Sequence, residues 1–149
     1  MAGGKDVTWE TGLMLLLFNN TTFATVGDAA GLLKSAADGS LWVSLHTADP
    51  AGGNQTTNEA AYTGYARMGV VRTAAGWICA AGAVENAAEI AFPVGTGGGE
   101  HITHFAIGTV NLAGGAGKLL YTGEVTPHLD TGIGVIPTFE DGAIDITES

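Results

Sequence analysis

The feature that most constrains the fold is the alternation of short apolar segments with glycine-rich turns from Leu41 onward. Within several of these segments apolar and polar residues alternate, which is the pattern of a strand with one buried face. Clusters of Gly, Asn, Asp and Pro separate the segments, and these residues favour tight turns. Glycine accounts for 24 of 149 residues without a strict period, which excludes a collagen-like chain and fits many turns.

Eight strands are predicted in this part of the chain. They lie near residues 41–46, 65–72, 77–81, 89–92, 102–108, 118–125, 133–139 and 143–147. Many short strands joined by turns are typical of an all-β sandwich or barrel. The predicted fold class is therefore mainly β, a jelly-roll-like sandwich or barrel that forms a single domain over residues 9–149.

The N-terminal region follows a different pattern. Residues 1–8 contain two glycines and no apolar periodicity, so we expect a flexible arm there. The segment "WETGLMLLLFNN" predicts a short helix over about residues 9–18, capped by Thr8 and closed by Asn19 or Asn20. Its six consecutive apolar residues predict burial on most sides, against the chain's own sheet or in a groove of another subunit.

Two connecting segments flank the first predicted strand. "GDAAGLLKSA" predicts a second helical turn capped by Asp28, although Gly31 weakens it. "HTADPAGGNQTTNEAAYTG" is the longest loop, and Asp49 with Pro50 marks its opening turn. Loops longer than about 12–15 residues are usually functional or disordered, so this loop is a candidate contact surface.

The charge balance argues against a nucleic acid partner, and the short apolar segments argue against a membrane-spanning helix. Fifteen Asp and Glu face five Lys and Arg, a formal net charge of −10, whereas phosphate binding needs clustered basic residues. The longest apolar run has six residues, far fewer than the roughly 20 of a membrane-spanning helix. No secretory signal is recognised, so we expect the chain to fold in the cytoplasm where it is made. Cys79 is the single cysteine, so we expect no internal disulfide.

The histidines are the first candidates for a metal site. "HITHFAIG" predicts a strand, on which His101 and His104 point to opposite faces, about 10 Å apart at roughly 3.3 Å per residue. These two therefore do not bind one ion. A site that joins one of them with His46, His128 or Glu100 stays open, but satisfied strand or surface histidines fit the pattern better. We predict no metal site.

No catalytic or cofactor-binding motif is found either. "GGAGKLL" lacks the first glycine and the Ser or Thr of a phosphate-binding loop, and no serine stands in a Gly-x-Ser-x-Gly motif. Cys79 has apolar neighbours, where a thiol is usually buried and inert. A glycosidase uses paired acids such as Asp49 with Glu59 or Glu140 with Asp141, but solvated loop acids explain both pairs better. We predict a non-enzymatic protein without a cofactor.

Four segments carry a resemblance to a known family. They are "GSLWVSLHTADP", "TNEAAYTGYARMGVVR", "AEIAFPVGTGGGEHITHFAIGT" and "GKLLYTGEV". With these segments the chain resembles a family of small virion proteins of tailed bacteriophages and prophages, commonly labelled tail fibre proteins, some of which resemble capsid decoration, or cement, proteins. The resemblance implies a virion structural protein with a β-barrel or jelly-roll-like body, and it implies no catalytic residues.

The resemblance leads us to expect a capsid decoration protein. It would bind the assembled lattice of the major capsid protein on the capsid exterior, as a homodimer or homotrimer, and stabilise it by mass action. A tail component, fibre-associated or at the baseplate, is the alternative, and a carbohydrate-binding domain is a third. The expected contacts lie in the arm, the helix and the long loop: Lys5, Asp6, Trp9, Leu13, Leu16, Leu17, Asp49, Asn54, Tyr62 and Tyr65. The same helix instead completes the domain's own core in the competing interpretation.

Overall fold

The computed structural model describes Met1 and residues 3–148. This part of the chain contains one helix, α1, at Val7–Phe18. Its nine strands are β1 (Ser40–His46), β2 (Met68–Val71), β3 (Trp77–Ala80), β4 (Ala83–Asn86), β5 (Ile90–Ala91), β6 (His101–Gly108), β7 (Leu119–Asp130), β8 (Thr138–Phe139) and β9 (Asp145–Thr147). The mainly β class and the short N-terminal helix predicted from the sequence are confirmed. The predicted arm includes Ala2, which lies outside the described residues.

The described strands form three open sheets. Strands β2, β1, β6 and β7 lie in that order in a four-stranded sheet, β3, β4 and β9 form a three-stranded sheet, and β5 pairs with β8. In the largest sheet β6 is antiparallel to both neighbours, so that His104 lies opposite His46 on one side and Glu124 on the other. None of these sheets closes into a barrel within the described residues, so the barrel form of the prediction is not adopted.

The chain divides into two compact units. The first contains Met1–Ser40, Val71–Glu89 and the segment from Phe139 onward, and the second contains Leu41–Val70 and Ile90–Thr138. Helix α1 and the sheet of β3, β4 and β9 belong to the first unit, whereas β6 and β7 belong to the second. The single domain expected over residues 9–149 stays a prediction. No helix in the described part is both long and apolar enough to cross a membrane.

Helix α1 begins two residues before the predicted start, at Val7. Asp6 is its N-cap, because its backbone is extended and its carboxylate accepts the Thr8 N–H at 2.8 Å. This bond satisfies one of the N–H groups that a helix start leaves unpaired, and it lowers the pKa of Asp6. The predicted cap, Thr8, lies inside the first turn. The predicted end is confirmed, since Asn19 is the C-cap and donates its N–H to the Leu15 carbonyl.

The core of the first unit includes one face of α1. Met14 and Phe18 are fully buried, and the Phe18 ring meets Trp77 of β3 edge-on, with the ring centroids 4.9 Å apart. Burying a side chain of this size contributes about 1.5–3 kcal/mol. The sequence left open whether this helix packs against its own chain or in a groove of another subunit. The face that carries Met14 and Phe18 packs against its own chain.

The helical turn predicted in "GDAAGLLKSA" is wrong. Asp28 does accept the N–H groups of Ala30 and Gly31, at 2.8 and 3.0 Å. Gly31 then adopts a φ of +71°, which a right-handed helix does not allow, and the chain turns back so that Leu32 pairs with Phe23. A Cβ atom at position 31 would overlap the Phe23 carbonyl oxygen, so the turn requires glycine.

Strand β4 has no counterpart among the predicted strands. It follows β3 through a two-residue turn in which Ala81 and Gly82 have φ angles of +50° and +77°, as in the tight turns of β-hairpins. Asn-Gly or Asp-Gly is the usual signal for such a turn, and here alanine stands in the first position. The pairing of β4 with β3 and β9 therefore fixes this strand, not its own composition.

The bounds of the two strands that follow β6 also differ from the prediction. Strand β7 continues to Asp130, beyond the predicted end at residue 125. The strand predicted over residues 133–139 shortens to Thr138–Phe139. The reason is a turn in which the Val135 N–H bonds the Gly132 carbonyl.

The core of the second unit lies on β1 and β6. Apolar side chains of both strands are buried, and they come mainly from these positions: Val43, Leu45, Ile102, Phe105, Ala106 and Ile107. The antiparallel register pairs Val43 with Ile107 and Leu45 with Phe105. Cross-strand pairs of this kind are the main stabilising contacts of a sheet.

Candidate functional site

The expected contact residues of the arm lie together at the start of α1. Lys5 and Asp6 are exposed, and the Lys5 ammonium forms an ion pair with Glu148. Trp9 is 37% exposed, and its ring lies 5.4 Å from that of Phe23. This end of the first unit therefore offers an exposed aromatic side chain next to charged groups.

A shallow groove runs beside this end of the helix. It has a volume of about 440 Å³ and is lined by Val7, Thr8, Thr11, Gly12, Leu15, Thr21, Thr22 and Phe23. Gly12 lets the Phe23 ring lie close to the helix, because a Cβ atom at position 12 would overlap this ring unless the ring moved. The groove is mostly apolar, with threonine hydroxyls as its polar groups.

The C-terminal part of α1 forms hydrogen bonds with Arg72, which belongs to the same unit. Leu13, Leu16 and Leu17 are half-buried, and the carbonyls of Leu16 and Leu17 accept from Arg72 Nη2 and Nε at 2.8 and 2.5 Å. A cation at this end of a helix satisfies free carbonyls and complements the macrodipole. Nothing near Arg72 in the sequence indicates this role, because the helix lies some fifty-five residues earlier.

The long loop of the second unit is ordered by its own hydrogen bonds. Asp49 is exposed and accepts the Ala51 N–H at 2.9 Å, in the predicted opening turn. Asn54 is half-buried and accepts from the backbone N–H and hydroxyl of Thr56, at 2.9 and 2.6 Å. Tyr62 is only 2% exposed and donates its hydroxyl to the Pro93 carbonyl at 2.9 Å. Asp49, Asn54 and Tyr62 therefore use polar groups of their side chains in hydrogen bonds within the chain.

Gln55 anchors the middle of this loop and was missed as a key residue at the sequence level. Its side chain is fully buried, and its Oε1 accepts the N–H groups of Thr109 and Val110, each at 2.9 Å. Its backbone N–H donates to the Ala116 carbonyl at 3.0 Å. A Cβ atom on Gly108 would overlap this side chain. A polar residue in a polar loop gives no sequence signal for such burial.

Glu59 joins Tyr65 and Arg67 in a buried polar cluster. The Tyr65 hydroxyl donates to Glu59 Oε1 at 3.0 Å, and Arg67 Nε donates to the same oxygen at 2.6 Å. Burial, followed by the Glu59 carboxylate, raises the pKa of Tyr65. Glu59 is therefore a partner of Arg67, which accounts for one acid of the Asp49 and Glu59 pair weighed at the sequence level.

Ser44 and His46 form a pair that resembles a nucleophile and its base. Both lie on β1, and Ser44 Oγ is 2.8 Å from His46 Nε2. The Thr57 carbonyl, 2.9 Å from Nδ1, accepts the ring N–H, so Nε2 accepts from the Ser44 hydroxyl. Both side chains are fully buried, and burial lowers the pKa of His46. The spacing of two along a strand could have indicated the pair.

The remaining reactive groups are also constrained. Cys79 is half-buried, with its Sγ 3.7 Å from the Met14 carbonyl, and burial raises the pKa of the thiol to about 11. His104 Nδ1 lies 2.8 Å from the Thr103 hydroxyl, whereas His101 Nδ1 lies 2.6 Å from Asp130. Within Met1 and residues 3–148, no group of three or more His, Cys, Asp or Glu is arranged to hold a metal ion.

The fold alone does not define the functional class of this protein, whereas comparison with known proteins does. A family model of phage fibre proteins matches residues 16–147, which is most of this mainly β chain. The protein is therefore a bacteriophage virion structural protein. The family is described as podophage GP4 fiber I protein gp80, and the chain belongs to it. No curated protein sequence matches the chain.

This match confirms the resemblance to phage virion proteins. It supports the expected virion structural role, but not the more specific role of a capsid decoration protein. The description names a fibre protein, and it does not confirm a capsid decoration role or a place on the capsid exterior. Partner contact by the ten residues selected from the sequence stays a prediction. The structure brings Lys5, Asp6 and Trp9 together in the first unit, and it buries Tyr62 in the second.

Proposed function

We propose that this protein is a structural component of the phage tail fibre. The observation that carries the proposal is the match of residues 16–147 to a family described as a fiber protein. Because that description names a fibre, it favours the tail over the capsid decoration role that the sequence first suggested. The experiment that tests the proposal must therefore distinguish a location on the tail from a location on the capsid.

The proposed role is structural and not catalytic. The nearest approach to a catalytic pair, Ser44 with His46, is fully buried, so a substrate does not reach it in this conformation. The long loop is fixed by Gln55 and by the ion pair of Arg67 with Glu59. Buried, fully bonded polar groups make a loop rigid, which suits a part that transmits force or holds its neighbours in place.

Attachment is proposed to use the N-terminal segment. Residues 1–15 lie outside the part matched by the family model, and they contain Lys5, Asp6 and Trp9. Val7 is 52% exposed and Trp9 is 37% exposed beside the apolar groove of α1. An exposed aromatic anchor next to a groove is typical of residues that contribute strongly to protein interfaces. The proposed partner is another protein of the tail.

Location on the particle tests the main proposal. Gold-labelled antibodies raised against the purified full chain are applied to intact virions and imaged by electron microscopy, with antibodies against the major capsid protein as the control. Label at the tail supports the proposal. Label spread over the capsid in the pattern of the control overturns it and favours a decoration protein.

Substitution at Trp9 tests the attachment surface. We expect Trp9→Ser to lower the number of copies per virion, measured by quantitative mass spectrometry, because an exposed aromatic anchor is removed. Leu33→Ser is the matched control, since Leu33 is 70% exposed in the same unit but is not an expected contact. Equal copy numbers for the two variants would contradict attachment through α1.

Self-association as a homodimer or homotrimer is part of the proposal. Strand β7 supports it, because twelve residues lie at the edge of the four-stranded sheet and an edge strand offers unpaired backbone groups to another chain. Light scattering coupled to size-exclusion chromatography gives the mass of the purified chain. A mass two or three times 15.0 kDa supports this part, and a monomer contradicts it.

A further inference from the structure

Two histidines of the second unit face each other on β6 and β7. His101 Nε2 lies 3.3 Å from His128 Nδ1, and the two rings are nearly perpendicular, at 81° with centroids 5.2 Å apart. The side chains are 57% and 39% exposed, so both rings are partly in contact with solvent. Neither histidine belongs to the buried clusters described above.

The register of the two strands produces this arrangement. Asp130 lies directly opposite His101, and His128 precedes Asp130 by two residues on the same strand. Ile102 pairs with Leu129, and His104 pairs with Glu124. The two pairs are two residues apart on β6 but five residues apart on β7, so β7 contains a bulge here. This bulge re-aims side chains of β7, as bulges do. It brings the Glu124 carboxylate to 3.1 Å from His128 Nε2.

The outer nitrogen of each ring is bonded to a carboxylate. His101 Nδ1 lies 2.6 Å from Asp130 Oδ1, and His128 Nε2 lies 3.1 Å from Glu124 Oε1. An ionised carboxylate only accepts hydrogen bonds, so both outer nitrogens carry the N–H when the rings are neutral. The two inner nitrogens then carry lone pairs that face each other without a donor between them. This arrangement favours a cation between the rings.

We infer that His101 and His128 form a binding site for a divalent transition metal of the zinc class. Two imidazole nitrogens at about 2.0–2.1 Å from a tetrahedral zinc ion are roughly 3.3–3.4 Å apart, and the inner nitrogens are 3.3 Å apart. Metal-binding histidines almost always donate their other N–H to a carboxylate, carbonyl or water, and both do so here. Imidazole ligands suit zinc, copper and nickel.

The site uses two protein ligands, and water completes the coordination. This agrees with the finding that the described residues contain no group of three or more metal ligands. The other two histidines do not take part, because His46 is fully buried and His104 bonds Thr103. Asp130 and Glu124 act as positioning residues that hold the tautomers with both inner nitrogens free.

Calorimetric titration of the full chain with Zn²⁺, in a form without a polyhistidine tag, tests the site. Metal binding displaces protons from its ligands, so the titration is done at mildly alkaline pH. We expect one zinc ion per chain, with affinity lowered by about tenfold or more in His101→Asn and in His128→Asn. The matched control His104→Asn is expected to bind as the parent chain does.

Two further measurements keep the outcome decisive. Asp130→Asn is expected to weaken zinc binding by roughly 10–100-fold, as loss of an outer-shell carboxylate does, while the unfolding midpoint stays unchanged. The imidazole NMR signals of His101 and His128 are expected to shift with zinc in the folded parent chain. No zinc binding, or equal binding by the parent chain and the His101→Asn and His128→Asn variants, would overturn the inference.

Discussion

Arg67 and Glu59 form a bidentate ion pair inside the second unit. Arg67 Nε lies 2.6 Å from Glu59 Oε1, and Nη2 lies 2.8 Å from Oε2. Both side chains are almost completely buried, and the guanidinium also donates to the carbonyls of Val110 and Gly115, each at 2.9 Å. One side chain thereby joins the long loop to the segment that follows β6.

Removing one partner of this pair is expected to be costly. Arg67→Met leaves the Glu59 carboxylate buried without its cation, and breaking a buried pair in this way costs about 3–5 kcal/mol. Urea unfolding measures the change in the free energy of unfolding. Lys5→Met is the matched control, because its ion pair with Glu148 is partly exposed and such pairs contribute about 1 kcal/mol or less. Similar losses in the two variants would contradict a special role for the buried pair.

Truncation of Phe18 tests the assignment of α1 to the core of the first unit. Phe18→Ala removes a fully buried ring that packs against Trp77, and such truncations cost about 3–5 kcal/mol. Val7→Ala, on the exposed part of the same helix, is expected to change stability by at most about 0.5 kcal/mol. Thermal unfolding of the two variants measures the difference. A Phe18→Ala chain as stable as Val7→Ala would mean that α1 does not complete the core.

The buried His46 is expected to make stability pH-dependent. Burial lowers its pKa below the ordinary value of 6.5, so the unfolded chain binds this proton more tightly than the folded chain. The free energy of unfolding therefore falls as the pH drops below about 6.5, until the lowered folded-state pKa is passed, and this residue has no effect at higher pH.

Comparison with His46→Gln isolates this contribution. The variant lacks the ionisable ring, so its stability deficit relative to the parent chain should shrink as the pH is lowered from about 7.5 to about 5. Urea unfolding at several pH values measures the deficit. A deficit that stays constant over this range would show that His46 is not the group responsible.

The turn at Gly31 is expected to tolerate no side chain. Gly31→Ala combines a φ of +71° with overlap of the new Cβ and the Phe23 carbonyl, whereas Gly27→Ala has a φ of +83° and no atom within 4 Å. A left-handed alanine alone costs about 1–2 kcal/mol, so Gly31→Ala should cost clearly more than Gly27→Ala. Thermal unfolding compares the two, and equal losses would indicate that backbone strain alone decides.

The fold class was predictable because it depends on local periodicity. Alternating apolar residues between glycine-rich turns indicated β1 and β6 almost to the residue, and the apolar run indicated α1. The errors lie where local sequence was ambiguous. The turn at Gly31 depends on Phe23, and the four-residue strand β4 depends on its pairing with β3 and β9.

The sites were less predictable than the fold, because they combine residues far apart in the sequence. His101 and His104 attracted attention through their spacing of three, yet the closer partner of His101 is His128 on the neighbouring strand. The strand geometry excluded the first pair at the sequence level, but only the register and the bulge of β7 placed the second pair at 3.3 Å.

The sequence by itself determined the mainly β class, the N-terminal helix, the acidic charge and the resemblance to phage virion proteins, because periodicity, composition and short motifs are properties of the chain read in order. The tertiary structure decided which polar groups are buried and which histidines meet. Strand pairing and loop closure bring together residues tens of positions apart, and no local pattern encodes the register that aligns them.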